Sequence, residues 1–133
     1  MVDTVLELAA PARPPQISAL RHAADAFLKQ LVPDDFRYQL LLVISELCTN
    51  AVEALHNPRE QLTLRVRDIE DCIIIEVEDV GPGFGEAIGR RGATDIDERG
   101  RGLQVVKSLV DDLSVERFRG KTIVRCVVSK PAP

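Results

Sequence analysis

Glu46, Asn50 and Glu53 interrupt the otherwise apolar run LLLVISELCTNAVEAL (40–55). On an α-helix Asn50 lies about 40° around the axis from Glu46, and Glu53 about 20° the other way, so all three project along one line. A solvated polar stripe would explain that line. So would a ligand-facing one, where an amide oxygen joins a metal shell and a neighbouring carboxylate accepts a proton. A second candidate is Asp79-Val80-Gly81-Pro82-Gly83. Ile73, Ile75, Val77 and Asp79 share one face of a strand, so a carboxylate continues a buried apolar row. A turn accounts for the glycines but not for an inward acid, which is costly unless paired; the exocyclic amine of a purine would be a suitable donor. The third is Arg99-Gly100-Arg101-Gly102-Leu103 ahead of a helical pattern. Glycines there let backbone N–H groups approach an anion, and the helix start adds partial positive charge. A solvated loop is the alternative for that stretch, and no GxxxxGK[ST] P-loop is present.

Several elements must position these residues. TVLELAA (4–10) reads as an edge strand stopped by PARPP (11–15), because proline cannot donate to a ladder. Ile17, Leu20, Ala24, Phe27, Leu28 and Leu31 recur at helical steps. A second helix, about 34–56, carries the apolar stripe Phe36, Leu40, Val43, Ile44, Leu47, Ala51 and Leu55, with Asp34 and Asp35 at its positive end. QLTLRVRD (61–68) and CIIIEVED (72–79) form a hairpin. Residues 80–102 hold seven of the chain's eight glycines and read as a long functional loop. A helix over 102–112 and strands 113–118 and 122–129 complete the order β-α-α-β-β-loop-α-β-β. Adjacent hairpins and three amphipathic helices predict an α/β two-layer sandwich: a mainly antiparallel mixed sheet, covered on one face by about three helices. The strict βαβ alternation of a doubly wound fold is absent.

With 133 residues and 45% hydrophobic content, the chain reads as one globular domain, 1–133. Its net charge of −4, with acids concentrated in 34–83, argues against nucleic acid as a partner. Cys48, Cys72 and Cys126 form no CxxC pair and read as reduced core residues. No basic leader and no apolar run of about 20 residues is present, which predicts a soluble, cytoplasmic protein without a membrane partner.

The ordered set resembles the N, G1 and G2 boxes of the GHKL ATPase superfamily, with its Bergerat or histidine-kinase-like ATPase fold. Within it the chain is similar to the bacterial anti-sigma factor serine-protein kinases, from Leu6 to Val128. SELCTNAVEAL matches the N box, VEDVGPGF the G1 box, and ERGRGLQVVKSLVDDLSVE the G2 box with its helix. The resemblance implies ATP and Mg²⁺. It implies that Glu46 is the general base and Asn50 the magnesium ligand, with Glu53 and Ala54 on the turn beside the phosphates. Asp79 would bind the adenine amine, with Gly81, Gly83 and Phe84 along the base. Gly100, Arg101 and Gly102 would line the phosphates, with Leu103 at the helix start, and Thr122 would sit near Asp79. The implied activity is phosphorylation of a serine on an anti-anti-sigma (STAS-type) antagonist protein, with sequestration of a sigma factor. A homodimer through the first strand and helix is a further expectation.

Two positions depart from that family's pattern. Glu53 and Ala54 stand where it commonly has a basic residue and a histidine, and Lys121 is inserted into the usual glycine-threonine pair. The first departure motivates an alternative, an ATP-dependent protein-binding module without kinase activity. A third reading is the ATP-binding domain of a histidine kinase.

Overall fold

A computed structural model of the chain describes residues 4–55, 60–80 and 101–132. Its elements are β1 (Thr4–Pro11), α1 (Pro14–Lys29), α2 (Asp34–Leu55), β2 (Gln61–Ile69), β3 (Cys72–Val80), α3 (Arg101–Leu109), β4 (Asp112–Phe118) and β5 (Lys121–Ser129). The five strands form one sheet in the order β1-β2-β3-β5-β4. Every neighbouring pair among the described strands is antiparallel, as expected of a mainly antiparallel sheet, and none of these pairs is the parallel one that would make it mixed. The helix between β3 and β4 does leave those two strands parallel, but β5 inserts between them and no parallel ladder forms.

Local chemistry explains where the elements begin and end. β1 is an edge strand, as proline at its end requires. α1 begins at Pro14, three residues earlier than the apolar periodicity at Ile17, because proline suits a first turn whose N–H groups lack helical partners. Asp34 and Asp35 occupy the first turn of α2. α3 ends at Leu109, before the expected residue 112, because the sheet captures Asp111: its N–H donates to the Val127 carbonyl at 2.9 Å, and its Oδ2 accepts from Ser129 N–H at 2.5 Å. Arg119 and Gly120 link β4 to β5 with φ of 50° and 77°. Positive φ at both central residues is what a two-residue hairpin with right-twisted strands needs.

The helices cover one sheet face. Leu62, Leu64, Val66, Ile73, Ile75, Val77, Val124, Cys126 and Val128 alternate along their strands and are buried against Leu28, Leu40, Val43, Ile44 and Leu47. α2 packs between α1 and α3. Arg37 ties α2 to α1 through Asp25 at 2.9 Å and also pairs with Asp34 within α2 at 2.9 Å. All three cysteines are free; Cys48 and Cys126 lie in the core and Cys72 is half-buried, so the expectation of three core cysteines is corrected at the start of β3. Burial pushes the Cys48 thiol up to about 12, and burial with the nearby Asp112 charge does the same for Cys126.

The opposite face carries charges whose sign alternates strand by strand. Glu7 on β1 pairs with Arg65 on β2 at 2.7 Å, and Arg65 with Glu78 on β3 at 2.9 Å. Arg125 on β5 pairs with Glu76 on β3 at 2.6 Å and with Glu116 on β4 at 3.1 Å. These long side chains cover Glu76 and Glu78, which are buried although none of the described helices lies over them. Arg125→Met is therefore expected to destabilise the protein by about 3 kcal/mol, because it leaves Glu76 charged, covered and unpaired. The double variant with Glu76→Gln should regain most of that loss. Urea denaturation of the three proteins checks both; an unchanged midpoint for Arg125→Met would rule out the pairing as a source of stability.

Candidate functional site

The helical period of α2 aligns four polar residues, since Gln39, Glu46, Asn50 and Glu53 fall within about 60° of one another around the axis. The first of them is a clamp: Gln39 Nε2 donates to the Leu109 carbonyl at 2.7 Å, at the C-terminal end of α3. That bond fixes α3 along the border of α2 on which Glu46 and Asn50 stand. Farther along, Asn50 lines a recess with Leu47 and Ala51 of α2, Val77 and Asp79 of β3, Leu103 of α3 and Val124 of β5. About 10 Å³ of the recess admits a water-sized sphere, so the described residues form the floor of a site.

Asp79 is 2% exposed and stands opposite Leu62 on β2 and Thr122 on β5. Thr122 is also 2% exposed, so the register aligns the two polar side chains despite the inserted Lys121. Burial, and then the charges of Glu60 and Glu78, raise the Asp79 carboxyl from 3.8 to about 7. A carboxylate so placed is short of a donor.

Six buried side-chain atoms lack a hydrogen-bond partner among the described residues. Three of them, Asp25 Oδ1, Arg37 Nε and Asp68 Oδ1, lie in ion pairs. The others are Asn50 Nδ2, Asp79 Oδ1 and Glu60 Oε2. Asn50 and Asp79 share the recess, and Glu60 immediately precedes β2 near Asp79. Buried polar atoms are nearly always partnered, so three orphans near one end of the sheet mark a place where polar contacts come from beyond the described residues.

The structure brings together Asn50, Asp79, Leu103 and Thr122 among the residues expected from sequence. Glu46 is half-buried one turn from Asn50, whereas Glu53 is exposed and absent from the recess lining. Ala54 lies in the last turn of α2, and Arg101 and Gly102 open α3. Gly81, Gly83, Phe84 and Gly100 lie outside the described residues. Sequence reasoning missed Val124 as a wall, although alternation from Thr122 places it on the same face. Glu60 carried no periodic signal.

No group of three or more histidine, cysteine, aspartate or glutamate side chains among the described residues is arranged to hold a metal. Among the recess residues the Asn50 amide oxygen could join the shell of a divalent cation, with oxygens of a bound ligand beside it. Magnesium suits that arrangement, since it keeps few protein ligands and is commonly completed by phosphates. The Asn50 amide presents either its nitrogen or its oxygen at one position after a half-turn. Among the described residues, no helix is long and apolar enough to cross a membrane.

The family model for the histidine kinase-like ATPase domain matches residues 10–128. The serine-protein kinase RsbW of Bacillus velezensis is 25% identical over 131 aligned positions, covering 89% of this chain and 81% of that protein. RsbW of Bacillus licheniformis is 26% identical over 132 positions, with the same coverage. The crystal structure of the RsbU and RsbW domains of a Mycobacterium tuberculosis protein shares the fold, with a TM-score of 0.68 at 17% identity. That match takes in 97% of this chain, which spans about a third (34%) of the mycobacterial one.

Proposed function

The chain belongs to the histidine kinase-like ATPase domain family, and from that premise we propose that it is an anti-sigma regulatory kinase. It binds ATP with Mg²⁺ and transfers the γ-phosphate to a serine of an anti-anti-sigma (STAS-type) antagonist protein. It also sequesters a sigma factor, in the cytoplasm. The observation that carries this reading is the buried, donor-deficient Asp79 carboxylate in one recess with Asn50. The serine kinase relatives add the reaction class.

The residues of the recess, with Thr122 and Glu46, each have a task in that reaction. Asp79 accepts a hydrogen bond from the adenine amine, and Leu47, Ala51, Val77, Leu103 and Val124 supply an apolar floor for the base. Thr122 stands beside Asp79 to share its network. Asn50 holds the cation, which neutralises charge on the phosphates when bound. The start of α3 directs backbone N–H groups at the phosphates. Glu46 lies on the next turn of α2, about 6 Å along the axis from Asn50. There it orients the serine hydroxyl and takes its proton as the serine oxygen bonds to the γ-phosphorus. The bond from phosphorus to the β,γ-bridging oxygen breaks, and ADP leaves. Positioning and charge stabilisation supply most of the rate.

One observation favours a second reading. Glu53 is exposed, and with Ala54 it replaces basic chemistry that would help hold phosphates. A nucleotide-dependent binding module without transfer would tolerate that loss. Incubation with γ-labelled ATP and a co-purifying antagonist tests both. The kinase reading expects acid-stable phosphoserine on the antagonist. Nucleotide-dependent capture of partner with no label would establish the module, and acid-labile label would point to a histidine kinase.

A further inference from the structure

Glu60 belongs to none of the roles above, yet its side chain has an unmet need. Its backbone is accounted for, because its carbonyl accepts from Ala12 N–H at 2.8 Å and extends the β1–β2 pairing past Gln61. Leu62 faces inward opposite Asp79, and Glu60 is two residues before it, so strand alternation turns Glu60 toward the same layer. Its Oε2 is buried without a partner among the described residues. Its charge also reaches Asp79, where it is the first neighbour, after burial itself, to raise that carboxyl. Two acidic groups with orphan oxygens thus stand near one end of the sheet, Asp79 in the recess and Glu60 beside it, outside the recess lining.

Resting on the nucleotide-binding reading above, we propose that Glu60 is a specificity-determining residue, a second acceptor that selects purines bearing a 6-amine over those bearing a 6-keto oxygen. A 6-amine has two N–H donors. Asp79 takes one, and Glu60 takes the other directly or through one shared water. A 6-keto oxygen instead brings lone pairs toward two carboxylates and leaves both unsatisfied. Buried polar groups left without partners are the strongest source of discrimination between similar ligands.

Titration calorimetry of the full chain with Mg-ADP and Mg-GDP tests the proposal. Glu60→Gln keeps the size of the side chain and adds a donor that can face a 6-keto oxygen. It is expected to weaken ADP about 3–10-fold and to cut the ADP:GDP affinity ratio at least about 10-fold. Glu60→Asp, which keeps the charge, is expected to retain most of the preference, with a melting temperature close to the parent's. A ratio unchanged within about two-fold in Glu60→Gln, even if both nucleotides weaken together, would overturn the proposal and leave Glu60 a structural residue. A parent protein that binds neither nucleotide would overturn the nucleotide-binding reading instead, so the two failures are distinguishable.

Discussion

Replacing Asp79 by Asn is expected to lower ATP affinity at least about 100-fold, roughly 2.7 kcal/mol, while raising the stability of the nucleotide-free protein at pH 8. The loss follows from presenting an amide donor to an amine donor across a buried contact. The gain follows from proton linkage. Asp79 binds its proton more tightly in the folded chain, at about 7 against 3.8, chiefly because it is buried. Such a group costs stability as pH climbs from the unfolded value to the folded one, and the cost persists above it. Asparagine carries no charge at any pH. The melting temperature of Asp79→Asn should therefore match the parent's near pH 4, rise above it through pH 5–7 and stay above it at pH 8, a window set by the raised carboxyl. Parallel melting curves across that range would mean that Asp79 is not strained when empty. Unchanged ATP affinity would remove it from the site.

Glu46→Gln is expected to separate binding from transfer. Glutamine keeps the shape and polarity of the side chain on α2, so ATP affinity should stay within about three-fold of the parent. Phosphoserine formation should fall by about 100- to 10,000-fold, the range typical of losing a positioned general base. Single-turnover transfer to the antagonist, followed beside equilibrium nucleotide binding, gives both numbers. Parent-rate transfer in the variant would sink the role given to Glu46. Loss of binding with transfer in proportion would instead make it a ligand contact.

Some of this was legible in local periodicity. The row Ile73, Ile75, Val77 pointed to Asp79 as an inward acid, and it is 2% exposed. The apolar stripe of α2 left Glu46 and Asn50 at its border, where both are half-buried. Features set by distant pairing were not legible. Alternation assigns Glu76 and Glu78 to the face opposite the described helices, but the arrival of Arg65 and Arg125 from neighbouring strands is what covers them. The insertion of β5 between β3 and β4 left no mark in either strand. Glu60 lies in a short link without repeating pattern, and its relevance appears only once β2 and β3 are aligned. On one polar line of α2, angle alone could not tell the clamp Gln39 from the lining residue Asn50 or the exposed Glu53.

The alternating charges also act as a check against misalignment. A slip of β3 against β5 by two residues keeps every apolar side chain on its proper face, so the core cannot detect it. In the native pairing Glu76 stands opposite Arg125. A two-residue slip one way would set Glu76 opposite Val127, and the other way opposite Ile123. Either error strands a carboxylate against aliphatic carbon, at a cost of several kcal/mol. β3 and β5 are joined only across residues 81–120, so their pairing is set over a long stretch of chain and not by a tight turn. The outer face supplies the proofreading that the core cannot.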